Sequence, residues 1–153
     1  AMMDLGCHPM YQLAYLCGKP KRISALFNSP LGSRVDENAV SIIEFENGII
    51  GISETGFDSY SSPHRLEVYG TDGTIIEENW NIKIKTKETA EFSDSFIEPK
   101  ADDADISPLN KFIDACINKT STPEGLGTEE ATALTLLLEN AYISDKTNKT
   151  VIL

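Results

Sequence analysis

Ala39-Val40-Ser41-Ile42-Ile43-Glu44-Phe45-Glu46-Asn47-Gly48-Ile49-Ile50-Gly51-Ile52 decides how this chain folds. Val40, Ile42 and Glu44 alternate with Ser41, Ile43 and Phe45, which is the two-residue period of a strand. Asn47-Gly48 breaks the run. Both residues tolerate positive φ, and the pair predicts a two-residue hairpin turn. Strands joined so tightly run antiparallel. Both faces of the hairpin carry apolar residues, so both are expected to be covered. Helices would cover one face and another chain or domain the other.

The same reading extends outward. Arg22–Phe27, Ala39–Glu46, Ile49–Phe57, Arg65–Tyr69, Thr74–Glu77 and Ile82–Thr86 are rich in β-branched and aromatic residues between turn signals, and each predicts a strand. Asp72-Gly73, between Tyr69 and Thr74, predicts a second tight hairpin. Phe92, Phe96 and Ile97 suggest one edge strand, and 98–107 a mobile loop. Helical periodicity flanks the strands. Met10, Leu13, Ala14 and Cys17 share one face of a helix closed by Gly18 and Pro20. Its start is open: Pro9 is the first helical residue, or the helix begins upstream and bends there. Pro108 opens a second helix with an apolar stripe of Leu109, Phe112, Ile113, Cys116 and Ile117. Thr128 caps a third, with Glu129 and Glu130 in its first turn and Ala131, Leu134, Leu138, Ala141 and Tyr142 on its buried side. Thr150–Leu153 reads as a terminal strand. Helix, antiparallel strands, helices is an α+β order. We expect one domain over residues 1–153, with an open sheet of about six strands and helices on one face.

Composition excludes several function classes. The chain has 153 residues with 13 Lys and Arg against 24 Asp and Glu, a net charge of −11. That argues against nucleic acid or an anionic membrane as partner, because both are bound by basic clusters. No apolar run is long enough to span a bilayer, and no basic segment precedes one. The three cysteines (Cys7, Cys17 and Cys116) show no metal-ligand spacing. Their odd number without a secretory signal fits a reducing, cytoplasmic setting. No GxGxxG or Walker sequence is present.

Chemistry concentrates at the start of the chain. Asp4 and His8 lie four positions apart as an apolar helix opens, which looks like half of an active site. If the helix begins upstream of Pro9, the two share a face. Cys7 adjoins His8, but neighbours on a helix point in different directions, which disfavours a nucleophilic Cys–His pair. His64, after Ser61-Ser62-Pro63, reads as a surface residue at a strand start. Strand packing accounts for Arg65 and Trp80 as well as a pocket does. For Tyr11 and Tyr15 core packing is the simpler reading. Two histidines and scattered acids fit no metal site.

Four stretches together resemble a family. Met3-Asp4-Leu5-Gly6-Cys7-His8 leads into the helix ending at Gly18. Val35-Asp36-Glu37-Asn38-Ala39 leads into Ile43–Gly48. Leu66-Glu67-Val68-Tyr69-Gly70-Thr71-Asp72-Gly73-Thr74 follows, and Glu139–Ser144 runs to the end of the chain. In this order they resemble the second domain of the glucose–fructose oxidoreductase / inositol dehydrogenase (Gfo/Idh/MocA) family. The resemblance implies an α+β domain that shapes a substrate pocket, makes the oligomer contact through its open sheet face, and works beside a Rossmann domain that binds NAD or NADP. It implies a small polar substrate (a sugar, polyol or related hydroxy compound). His8 would be the acid/base on the substrate hydroxyl, and Asp4 its orienting neighbour. An imidazole suits removal of the O–H proton as hydride leaves the carbinol carbon. The Gly-rich loop and the Glu-Lys-Pro motif of the family's first domain do not occur here. No residue is therefore assigned to the cofactor, and this chain alone is expected to be inactive. The alternative is a stand-alone, non-enzymatic dimeric module or a remnant domain.

Overall fold

The computed structural model describes residues 1–99 and 107–153. The part of the expected mobile loop at 100–106 lies outside the described residues. The described chain forms two compact units: Ala1–Ser59 with Ser107–Leu153, and the intervening segment from Tyr60. The class is α+β, as the element order predicted. Every expected strand but the edge strand near Phe92 is present, with its ends within two residues of the sequence reading. The strands do not form one sheet, however. They pair as a four-stranded sheet in the first unit and a three-stranded sheet in the second.

In the first unit β1 (Pro20–Asn28), β2 (Asn38–Phe45), β3 (Ile50–Gly56) and the short β7 (Val151–Ile152) lie in the order β3-β2-β1-β7, all antiparallel. Helices α1 (Cys7–Cys17) and α3 (Thr128–Thr147) pack on one face. The two-residue period decides what that face buries. Ala39, Ser41, Ile43 and Phe45 of β2 turn inward with Ile23, against Met2, Met10, Leu137, Leu138 and Ala141. Leu26, Val40, Ile42, Ile52, Ile152 and Ile50, the last 67% exposed, turn outward. One face of this sheet therefore exposes a group of apolar side chains, beside the Arg22–Glu44 ion pair.

β7 pairs with β1 only at Arg22 and Ile23. Further along β1, α3 substitutes for it. Ser144 Oγ accepts the Ala25 N–H at 3.0 Å, and Asp145 Oδ1 accepts the Phe27 N–H at 2.7 Å. These backbone donors would otherwise lie unpaired along the strand edge.

The turn between β2 and β3 departs from the two-residue expectation. Only Gly48 has positive φ, 86°. The Gly48 N–H donates to Phe45 O at 3.0 Å and the Phe45 N–H to Ile49 O at 2.9 Å. The loop is thus Glu46-Asn47-Gly48, with glycine in the left-handed position. Asn47 instead uses its side chain: Nδ2 donates to Cys17 O at 2.9 Å and ties the hairpin to the end of α1.

The second unit holds β4 (Arg65–Tyr69), β5 (Gly73–Glu78) and β6 (Asn81–Thr86), antiparallel in sequence order. Gly73 has no positive φ. Its role is close approach, since a Cβ there would lie 2.6 Å from Lys85 O on β6. The left-handed pair is Asn79-Trp80, with φ of 50° and 70°, which joins β5 to β6 in two residues. The expected edge strand near Phe92 and Phe96 reduces to one bridge between Ile97 and Ile84.

Two helices differ from expectation. α2 (Pro108–Asn118) is capped by Ser107 Oγ, which accepts the Asn110 N–H at 3.3 Å, but its apolar stripe is exposed throughout. α3 is preceded by Gly127 rather than capped by Thr128, and Ala131 lies outside its buried face. Leu137, Leu138, Ala141 and Ser144 fill that face, with Leu134 and Tyr142 partly buried.

Candidate functional site

Of the two possible starts for α1, the upstream one is realised. Met2–Gly6 forms a π-helical turn that runs directly into Cys7. The N–H groups of Leu5 and Gly6 both donate to Ala1 O, at 2.8 and 3.0 Å. The six-to-one bond widens the turn. Rotation per residue falls below that of an α-helix, so the four-residue step from Asp4 to His8 closes more nearly on one face. At Gly6 a Cβ would stand 2.6 Å from Met2 Sδ, in the same turn, and in ordinary contact, 3.4 Å, with Thr55 Oγ1 on β3.

Burial around the turn is selective. Met2, which opens the turn, and Met10, in the first turn of α1, are fully buried and anchor this stretch in the core. Asp4 and His8 between them are exposed. Neither side chain has a hydrogen bond or ion pair among the described residues, so both are available to a ligand. The Cys7 thiol donates to Asp4 O at 3.0 Å, not to His8. A turn that is held at both ends and presents a carboxylate and an imidazole can exchange a proton with a hydroxyl brought against it.

One turn further along α1, the Tyr11 hydroxyl donates to Gly125 O at 2.6 Å. Its ring stacks on Tyr15, with centroids 6.1 Å apart. Burial and the nearby Glu130 and Tyr15 charges hold the Tyr11 phenol above its ordinary pKa. Tyr15 is 57% exposed, so core packing does not account for it. The segment before α3 is thereby fastened beside the helix that carries His8.

The sequence reading gave no role to the group that fixes the turn. Asp36 accepts from the Met2 N–H and from the Tyr142 hydroxyl. Burial pulls its carboxyl upward in pKa. Its hydrogen bonds from the α-amino group, Met2 and Tyr142 outweigh that and leave it below the usual carboxylate range. The Tyr142 phenol is pushed up to about 12, by burial first and then by Asp36. Both residues stood in quoted motifs, but no spacing connects position 36 with 2 and 142.

A stability prediction follows from the signs. The raised Tyr142 pKa contributes stability that is complete below the phenol's ordinary value near pH 10 and is lost as pH rises toward 12. The lowered Asp36 pKa contributes stability present above its unfolded value and lost as pH falls through the folded one. Urea midpoints measured against pH are expected to fall at both ends, and Tyr142→Phe is expected to flatten the alkaline limb.

His64 belongs to the second unit. It stacks on Trp80, with centroids 4.9 Å apart, and its Nδ1 lies 2.8 Å from Glu77 Oε2. Arg65 pairs with Glu67 and Glu78. Trp80, 82% exposed, sits at the hairpin tip rather than in the strand packing expected of it.

Among the described residues no three His, Cys, Asp or Glu side chains group as a metal site, and no helix is long and apolar enough to cross a membrane. Every strand pair among them is antiparallel. A dinucleotide crevice of the Rossmann type is built on parallel strands and a glycine-rich turn, an arrangement that differs from these sheets.

Residues 1–76 match a family model described as the GFO/IDH/MocA C-terminal domain. The chain belongs to this family. Solved structures agree over nearly the whole GFO/IDH/MocA domain. An NAD-binding protein from Listeria innocua is 31% identical with a TM-score of 0.81, covering 99% of this chain and 47% of that one. The aldose-aldose oxidoreductase from Caulobacter crescentus complexed with glycerol is 14% identical with a TM-score of 0.85, covering 99% and 47%. Levoglucosan dehydrogenase in complex with NADH and levoglucosan is 16% identical with a TM-score of 0.77, covering 98% and 49%. The latter two show the fold alone. The chain spans about half the length of each of these proteins. No curated protein sequence matches it.

Proposed function

We propose that this GFO/IDH/MocA domain is the substrate-binding and oligomerisation half of an NAD(P)-dependent oxidoreductase acting on a sugar, polyol or related hydroxy compound. The observation that carries the reading is the exposed pair of Asp4, on the turn, and His8, at the start of α1, in a stretch flanked by the buried Met2 and Met10. In this reading His8 takes the hydroxyl proton, and Asp4 orients the imidazole and stabilises its protonated form. The nicotinamide, held by a separate Rossmann domain, accepts the hydride. The ligands of the structural relatives support the substrate class: glycerol in one and levoglucosan in another. The open apolar face of Leu26, Val40, Ile42, Ile50, Ile52 and Ile152 supports a second copy of the chain as partner.

One sample tests the reading. Histidine side-chain NMR of the chain, titrated with glycerol, inositol and NADH, is expected to show a saturable shift of the His8 signal with a polyol and none with NADH. Sedimentation of the same sample is expected to show a dimer. A dimer whose His8 ignores every polyol would favour the non-enzymatic module. Tight NADH binding would overturn both readings.

A further inference from the structure

The Val35–Ala39 stretch has no part in the chemistry above, yet its Asp36 is the most heavily engaged carboxylate near the turn. Its side chain is 11% exposed. Oδ2 accepts the Met2 N–H at 2.5 Å and lies 2.7 Å from the Ala1 nitrogen. The Asp36 main-chain oxygen accepts from that nitrogen too, at 2.5 Å. Oδ1 accepts the Tyr142 hydroxyl at 2.8 Å. Tyr142 is itself fixed, edge-on to Phe27 with ring centroids 5.0 Å apart. Neighbouring Glu37 holds the preceding loop, accepting the N–H groups of Leu31 at 2.6 Å and Ser33 at 2.9 Å.

A helical turn leaves its first N–H groups without internal partners, and a carboxylate is the favoured partner at that end. Asp36 supplies it from far away in sequence. One oxygen is tied to α3 and the other to the turn. The contact with Met2 needs only a peptide N–H.

We propose that Asp36 is the positioning residue of the Asp4–His8 pair, holding the π-helical turn at the angle that presents both side chains together. It acts through the backbone of Met2 and touches no substrate. The inference rests on the proposed role of Asp4 and His8, but its mechanical part can be tested without it.

The experiment compares the wild-type chain with Asp36→Ala and Tyr142→Phe by amide hydrogen exchange and by the polyol titration of the His8 signal. In Asp36→Ala, exchange at Leu5 and Gly6 is expected to rise at least about tenfold while Ile43 and Phe45 in the core keep their protection. Inositol affinity read at His8 is expected to fall by a similar factor. Tyr142→Phe, which frees one oxygen of the anchor, is expected to move both readouts the same way by less, and it carries the test if Asp36→Ala does not fold. Unchanged exchange at Leu5 and Gly6, or exchange that rises only in step with the core, would overturn the proposal. So would an unchanged inositol affinity. If wild-type His8 never responds to polyols, the catalytic reading fails, while the exchange data still decide whether Asp36 holds the turn.

Discussion

Phe45→Ala is expected to lower the unfolding free energy by about 3–5 kcal/mol, the range for removing a buried aromatic ring. Phe45 is 0% exposed and belongs to the core formed with Met2, Met10, Ile23 and Leu137. Gly51 on the neighbouring strand is part of the reason for so large an effect. A Cβ there would stand 3.3 Å from the Phe45 ring and 2.7 Å from Leu13, so the ring already occupies the space a side chain on β3 would fill. Deleting it leaves a cavity beneath α1 that the sheet, fixed by its ladder hydrogen bonds, cannot close. A domain of this size loses roughly 2–4 °C per kcal/mol, so a fall in melting temperature of about 6–20 °C is expected by calorimetry. Leu16→Ala is the control. Leu16 lies on the same helix as Leu13 but is exposed, and little change is expected.

The second large effect is on rate. In an oxidoreductase that carries this chain, His8→Ala is expected to reduce kcat by about 10²–10⁴, the usual contribution of a positioned acid/base. Because the lost proton transfer belongs to the transition state, kcat and kcat/KM should fall together and KM should change little. His64→Ala is the matched control, since that imidazole is engaged by Trp80 and Glu77 in the other compact unit. Steady-state kinetics of the two variants separate the possibilities. Equal losses, or a loss confined to KM, would remove His8 from the chemistry.

Much of the fold was legible because the signals that set it are local. The alternation of β2 assigned Ser41, Ile43 and Phe45 to one face, and those residues are buried or nearly so. Gly18, with φ of 85°, ends α1 where a glycine followed by proline should. The misreadings also have local causes. Asn79-Trp80 makes a left-handed turn without glycine, which composition does not advertise. Gly73 resembled a turn residue but is required by the backbone of β6, a strand not yet placed when the turn is read. The stripe on α2 has a core-facing helix's spacing, yet none of its residues is buried among the described residues. Periodicity shows that a face is apolar; it does not show what covers it.

The sequence by itself determined the class, the strand boundaries, the family and the two residues proposed for the chemistry, Asp4 and His8. Each rests on spacing within a few residues, where backbone geometry leaves few alternatives. Tertiary structure alone decided that the strands divide into two sheets, that α1 starts in a widened turn, and that Asp36, 34 residues from Met2, holds that turn with Tyr142, which lies 106 residues beyond Asp36. Those choices depend on which distant groups meet when the core closes. A buried N–H or carboxylate accepts whichever partner the packing brings to it, and nothing in the sequence near Met2 specifies that the partner is Asp36.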